Sequence, residues 1–322
     1  MRRVDRRELL KLGAAIGAGA AIGRIPAPTR AQSQQLSVLT SHRPDPIPPG
    51  VDNFAGDLLD AWSTEHDTGV VYESHPFFEI ETATRAAFDS GNDVHDVYYN
   101  WATIPELSAN LVELGSRLPK ALVADLAPSQ AASVSWQGKQ YGVVPTLSLM
   151  LLFYNRTFFE AAGIPEPPAT WDDLKGLADV FGGEMPNGLL MPYAAAAGIG
   201  GVASVWMAFL QQAGGRMYDD SGKPLFDDTP GVDALQFMID LLPITSNRSQ
   251  TLVSYGEAAF QMSFGSAAIT FSFPAFWSQL TNNAPPDQTA MAPAIMPKGP
   301  ENNATINGVD AWTIAAISPQ QD

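Results

Sequence analysis

The chain has 322 residues, a formal charge of −16, 45% hydrophobic and 16% charged residues, and no cysteine. That length and apolar content predict one large packed domain or two smaller ones rather than a disordered chain. The acidic balance argues against a nucleic-acid partner, because phosphate backbones are bound by Lys and Arg, and the missing thiols exclude disulfides, thiolate metal sites, a Cys nucleophile and a lipid-anchored cysteine.

The first 31 residues read as an export signal. A basic start is followed by a short Ala/Gly-rich run from Leu12 to Gly23, and Thr29 and Ala31 suit a signal peptidase cutting before Gln32. The run falls short of the roughly 20 residues needed to span a bilayer. Arg6-Arg7-Glu8-Leu9-Leu10-Lys11 resembles the twin-arginine signal, although Asp5 stands where Ser or Thr is usual. The expected location is the periplasm, after export by the twin-arginine route and without a lipid anchor.

From Leu36 the chain alternates. "LSVLTSHRPDP" is a strand and its loop. A helix follows with Phe54, Leu58 and Trp62 at helical spacing and Gly69 as its stop. "VVYESHP" is a second strand, "EIETATRAAFDSGN" a helix ended at Gly91, and "HDVYYNWA" a third strand. This βαβαβ order predicts a mostly parallel sheet flanked by helices, with ligand outside the carboxyl ends of the strands. Those ends carry Thr40, Ser41 and His42, then Ser74 and His75, then Asn100 and Trp101.

"IPELSANLVELGSRL" reads as another helix and "WQGKQYGVVP" as a hairpin turning at Gly138. Leu147 to Phe153 is too apolar for a half-exposed strand and predicts a buried one. Pro165, Pro167 and Pro168 stop the short helix before them, and Thr170 to Asp173 is a capping-box pattern. Trp171, Leu174, Leu177, Ala178 and Phe181 share one face of the helix that follows. A later helix places Val232, Leu235, Met238, Ile239 and Leu242 inward. "EAAFQMSFGSAAITFSFPAFW" is a helix, a turn at Gly265, a strand and an aromatic loop, and two closing strands follow in "MAPAIMPKGP" and "ATINGVDAWTIAAIS". Trp171 and Trp312 read as core, and the paired aspartates at 172–173, 219–220 and 227–228 as caps and turns.

The stretch from Gly138 to Leu174, "GKQYGVVPTLSLMLLFYNRTFFEAAGIPEPPATWDDL", resembles the signature passage of bacterial extracellular solute-binding proteins of family 1, the maltose-binding type. Its order is Tyr-Gly-Val-Pro, an apolar strand, Tyr-Asn-Arg, a Phe-rich helix, Ala-Gly-hydrophobic-Pro, a Pro pair and Thr-Trp-Asp-Asp-Leu. "AGGRMYDDSGKPLFDDTPGVDALQFMIDLL", "APAIMPKGP" and "INGVDAWTIAAIS" are similar to further blocks of that family, so the likeness covers nearly all of residues 36–318. It implies an α/β, two-lobed periplasmic binding protein fold (type II), each lobe a mostly parallel sheet flanked by helices. Residues 32–146 plus 309–322 would form lobe 1 and residues 147–308 lobe 2. Thr146 to Leu152 would be the first crossing between lobes, and Ile306 to Ile317 the return. Family members usually run about a hundred residues further, so the resemblance also implies that a C-terminal segment is lacking.

The function implied is capture of a small solute, a carbohydrate first, between the lobes and its delivery to an ABC transporter permease. The partners implied are that solute and the permease subunits, with no nucleic acid and no cofactor or metal, and the receptor is expected to be a monomer. Candidate ligand contacts are Thr40, Ser41, His42, His75, Asn100 and Trp101 on the first lobe, Ser148 at the hinge, and Trp206, Phe273 and Trp277 on the second. A polyol, a glycerophosphate ester or a polyamine is the alternative solute. An exported glycoside hydrolase using Glu73 and Asp96, or a nonfunctional remnant, is the alternative of another class. No Gly-x-Ser-x-Gly elbow, His-Glu-x-x-His or Walker lysine loop occurs.

Overall fold

The computed structural model describes residues 34–41, 54–75, 79–91, 94–101, 104–145, 147–182, 188–194, 201–219, 221, 223–250, 252–282 and 290–320. The export signal and His42 lie outside the described residues. In chain order the elements are β1 (Gln34–Thr40), α1 (Phe54–Glu65), β2 (Thr68–Ser74), α2 (Ile80–Ser90), β3 (Val97–Trp101), α3 (Ile104–Leu107), α4 (Lys120–Asp125), α5 (Pro128–Ser133), β4 (Ser135–Trp136), β5 (Lys139–Gln140) and β6 (Gly142–Val143). Then come β7 (Ser148–Leu149), β8 (Leu151–Asn155), α6 (Arg156–Ala161), α7 (Trp171–Gly176), α8 (Ala178–Phe181), β9 (Leu189–Leu190), α9 (Gly201–Gln212), α10 (Thr229–Asp240), α11 (Tyr255–Ser263), β10 (Ile269–Ser272), α12 (Trp277–Asn282), β11 (Met291–Ala294), β12 (Asn307–Gly308) and β13 (Asp310–Ile314).

Two principal sheets result, in the orders β2-β1-β3-β13-β6 and β11-β8-β10-β9. The parallel pairs expected from the βαβαβ order, β1 with β2 and β1 with β3, are present, and β9 pairs parallel with β10. Both sheets are nonetheless mixed. β13 runs antiparallel to β3 and β6, and β8 runs antiparallel to β10 and β11. These are the strands entering from the other side of the molecule, so they reach their sheets from the opposite end.

Strand β8 shows why the second sheet is stable. Its alternation sends Leu152 into one apolar cluster, with Leu174, Phe209, Phe237, Ile269 and Phe271, and Phe153 into the other, with Val253, Ala258, Met262 and Leu280. Both faces are covered, as the unbroken apolar run predicts from Leu151 onward. The run does not stay buried at its start: Leu147 and Leu149 are exposed, because β7 belongs to a separate two-stranded ribbon with β12.

Local signals place the next elements. Gln137 and Gly138 take positive φ in the β4–β5 turn. Thr170 Oγ1 accepts from Asp173 N (3.1 Å) while Asp173 Oδ2 accepts from Thr170 N (2.9 Å), closing the capping box that starts α7. The helix expected after Ile104 is shorter than its sequence suggests, giving way to a 3-10 turn at Ser108–Asn110 and a bridge from Leu111 to Ala315. Asp67, at φ 48°, turns the chain out of α1, so Gly69 stands inside β2 and does not stop the helix.

Helix α10 corrects the sequence reading. Val232, Leu235 and Ile239, expected inward, are 58%, 55% and 49% exposed, whereas Gly231, Ala234 and Phe237 are buried. The aromatic contacts explain the rotation. Phe237 lies flat on Trp171 (centroids 3.9 Å apart, 4° between planes) and edge-on to Phe209 (4.9 Å). Such a stack adds about 0.5–1.5 kcal/mol beyond area burial. The small neighbours let the helix approach: a Cβ on Gly231 would fall 1.8 Å from the Phe226 carbonyl oxygen.

Asp96 ties the first sheet to the chain's far end. Its Oδ2 accepts from Ser37 N and Ser37 Oγ, each at 2.7 Å, and its Oδ1 accepts from Ser318 Oγ at 2.6 Å. Burial pushes this carboxyl up, but the bonds from Ser318 and Ser37 outweigh it and hold it below the usual carboxylate range. A depressed native value means stability that is present above the unfolded value of about 3.9 and is lost as pH falls through the folded one. Asp96→Asn is expected to destabilise by about 1–3 kcal/mol at pH 7. Urea titrations at pH 7 and pH 3 should show the gap between wild type and variant shrinking in acid; an equal gap at both would refute the role.

Candidate functional site

The chain passes between the two sheets through the β7–β12 ribbon, where Ser148 pairs with Gly308 and Leu149 with Asn307. Next to it Met150 N donates to Ile306 O (2.9 Å) and Thr305 Oγ1 donates to Met150 O (2.6 Å). Strand alternation puts Ser148 and Gly308 on one face. Phe273, immediately after β10, covers that face: a Cβ on Gly308 would stand 3.4 Å from its ring and 3.5 Å from Ser148 O. A glycine here lets the aromatic ring lie against the crossing strand.

Phe273 is backed by further aromatics. The Tyr255 ring meets it edge-on at 5.2 Å and lies near-parallel to Phe276 at 6.1 Å. Tyr255 opens α11 behind the Ser254 cap, and its hydroxyl donates to Gly201 O at the start of α9 (3.1 Å). Burial pushes this phenol well above its ordinary range. The second sheet therefore offers the crossing an aromatic wall.

The first sheet offers strand ends. Thr40 is buried, and its carbonyl accepts from His75 N at 3.0 Å; Ser41 is half-buried. His75 Nε2 lies 2.7 Å from Glu73 Oε1, and His95 Nε2 lies 3.4 Å from Glu73 Oε2, so Glu73 holds both imidazoles. Asn100 and Trp101 end β3 and pair in register with Ala311 and Asp310 of β13. Burial first, and then the Asp310 carboxylate, push the Tyr99 phenol above its ordinary range, and Tyr99 packs edge-on against Trp312 at 4.9 Å. Among the described residues no three His, Cys, Asp or Glu side chains are placed to hold a metal ion.

Of the sequence-predicted residues, the structure brings Ser148 and Phe273 together and sets Thr40, Ser41, His75, Asn100 and Trp101 at strand ends of the first sheet. It does not bring the other two tryptophans to the crossing. Trp206 turns toward α10, its Nε1 donating to Gly231 O at 3.4 Å, and lines an apolar recess of about 300 Å³ with Phe226, Val232 and Leu235. Trp277 lies over Phe153 (6.0 Å) and lines a second recess, of about 190 Å³, with Leu151, Pro274 and Pro293. The sequence reading did not name Gly308, which reaches Phe273 by strand pairing distant in sequence, or Tyr255, which reaches it by aromatic packing.

Two mixed α/β sheets joined by paired crossing strands define a two-lobed solute-binding protein. The chain belongs to the bacterial extracellular solute-binding protein family, whose profile matches residues 50–322. A binding protein of Brucella abortus (strain 2308) is 46% identical over 50 residues, 15% of this chain and 12% of that protein. Among solved structures, maltose-bound MalE3 of T. maritima is 21% identical, covering 89% of this chain and 74% of its own (TM-score 0.68). The GacH receptor of Streptomyces glaucescens, solved unliganded and with acarbose, is 20% identical over 90% of this chain and 73% of its own (TM-score 0.70). A solute-binding protein of Agrobacterium radiobacter K84 in complex with ribitol is 19% identical over the same shares (TM-score 0.68). This chain thus spans about three quarters of each solved relative, and the likeness establishes the fold.

Tyr255→Phe removes one hydroxyl from the aromatic wall and with it the bond to Gly201 O. A loss of about 1 kcal/mol is expected, read from the midpoint of urea unfolding; an unchanged midpoint would show that the bond adds no net stability.

Proposed function

We propose that this protein is an exported receptor that captures a small hydroxylated solute, a carbohydrate or a polyol, and hands it to an ABC transporter permease. The observation that carries the reading is the meeting of Ser148, Gly308 and Phe273 on one face of the crossing ribbon. Sugar sites combine an aromatic face, which covers pyranose C–H groups, with a few convergent polar groups, and this junction supplies both. Maltose, acarbose and ribitol in the solved relatives support the solute class. Residues 32–146 plus 309–322 are proposed as one lobe and 147–308 as the other, with Thr40, Ser41, Asn100 and Trp101 facing the solute from the first. Export by the twin-arginine route and action as a monomer belong to the same reading.

Catalysis is not part of it. Asp96, one half of the only glycosidase pair the sequence suggests, is 7% exposed and held by two serines, and Glu73 is occupied by two histidines. Two carboxyl groups so engaged are poorly placed to protonate and attack a glycosidic bond.

A thermal-shift screen of residues 32–322 against maltose, D-tagatose, ribitol and D-mannitol tests the proposal. A solute at 100 times its Kd should add about 2.7 kcal/mol. Phe273→Ala should abolish the shift, while Trp206→Ala and Trp277→Ala keep it. A cooperative melt that no solute moves would reject the carbohydrate reading; loss in all three variants alike would reject the placement of the site.

A further inference from the structure

We propose that the outer face of α10 is a docking surface for a basic, apolar-striped segment, and that its occupant is the chain's own leading segment, residues 1–31, for as long as that segment stays attached. The proposal is independent of the solute reading.

The face comes first. Val232, Leu235, Ile239 and Leu242 follow one another at intervals of three, four and three residues, so they form one seam along α10 and the turn that ends it. All four are exposed, while the opposite side of the helix is buried through Ala234 and Phe237. This is the spacing with which one helix seats against another. At its N-terminal end the seam runs into the apolar recess of about 300 Å³ that Val232 and Leu235 share with Trp206 and Phe226. Those two rings meet edge-on at 6.4 Å and form the recess wall. An exposed apolar seam rimmed by polar residues marks an interaction site.

Charge selects the occupant. From Asp227 to Leu242 the chain carries four carboxylates, Asp227, Asp228, Asp233 and Asp240, and no Lys or Arg. All four are exposed, and Asp227 lines the recess. Asp233 and Asp240 stand seven residues apart, hence on one flank of the seam, with Gln236 between them donating to Asp240 Oδ1 at 2.9 Å. A second copy of this face would set these carboxylates against their own kind, whereas a basic segment pairs with them. Residues 1–31 hold seven basic side chains against two acidic ones. Leu9, Leu12 and Ile16 repeat the three-and-four spacing of Val232, Leu235 and Ile239, and Arg3, Arg7 and Lys11 recur four apart beside them. The segment lies just ahead of β1. Its 31 residues reach about 100 Å when extended, against a radius of gyration of about 20 Å for a folded chain of this length. It therefore reaches α10 of its own molecule.

Trypsin digestion of the full chain, residues 1–322, followed by intact mass, tests this through the cleavage rate at Arg6, Arg7 and Lys11. A tethered segment at an effective concentration of about 1 mM and a Kd of about 0.1 mM is free roughly a tenth of the time, so cleavage should be about 10-fold slower than in the free peptide 1–31. Leu235→Lys breaks the seam, and Asp233→Lys with Asp240→Lys reverses the flank. Both sets of changes are on exposed positions, so the melting temperature should stay within a few degrees of wild type, and each should restore the peptide's rate. Should Leu235→Lys fail to fold, Ile239→Lys carries the same expectation. Cleavage of the wild type as fast as the free peptide overturns the proposal, and so does protection that either the seam or the flank variant leaves intact. Sedimentation of residues 32–322 covers the other occupant: a dimer that Leu235→Lys dissociates would give the face to a second copy and overturn the assignment to residues 1–31.

Discussion

A chain that leaves one sheet and returns to it must keep two crossing strands side by side, and that pairing constrains the rest of this molecule. The β7–β12 ribbon holds only two residue pairs, Ser148 with Gly308 and Leu149 with Asn307. On one side β7 runs within two residues into β8, the strand at the centre of the second sheet's two apolar clusters. On the other, β12 runs into β13, which joins β3 and β6 in the first sheet. A register slip of one residue in the ribbon would turn Ser148 away from Phe273. It would also shift every side chain of β8 to the wrong face. The deep packing of Leu152 and Phe153 therefore fixes the geometry at the crossing, although neither residue is near it in function.

How much of this was legible in the sequence depended on how local the cause was. The capping box at Thr170, the glycine turn at Gly138 and the helix stop at Gly91 follow from a few consecutive residues, and they stand where the sequence puts them. The alternation of β1, α1, β2, α2 and β3 was likewise readable from periodicity. Helix α10 was not. Periodicity favoured Val232, Leu235 and Ile239 as the buried face, yet packing chose the face that lets Phe237 stack on Trp171, sixty-six residues earlier. A single sequence carries no signal for that choice, because both faces of the helix are apolar enough to be buried. The exposure of Leu147 and Leu149 has the same origin: their apolar character fits a buried strand, but the ribbon they join has only one partner strand.

The candidate site divides in the same way. Strand-end residues such as Ser41 and Asn100 could be named because a βαβ alternation dictates where loops gather. The tryptophans were drawn in by their residue type, and two of them serve packing elsewhere: Trp206 against α10 and Trp277 against β8. Gly308 and Tyr255 were invisible for the opposite reason. A glycine in a short strand looks like a weakness, and its use appears only when Phe273 is seen lying against it.

The contrast in connectivity between sheets and ribbon has a mechanical consequence. Within each sheet the strands are held by runs of paired residues, seven between β1 and β2 and five between β3 and β13, with helices packed on both sides of the second sheet. Between the sheets the ribbon contributes two pairs, supplemented by the bonds of Met150 and Thr305. Bending concentrates where the fewest hydrogen bonds and contacts must change, so any relative motion of the sheets would fall on residues 147–150 and 305–309. Ser148 and Gly308 sit on that axis. On the receptor reading proposed above, a solute touching both would move little on closure of the lobes, while Phe273 and the strand ends of the first sheet would approach it from either side. For a receptor of that kind, residues at the axis suit recognition of the solute, and residues far from it suit a displacement large enough to report its capture.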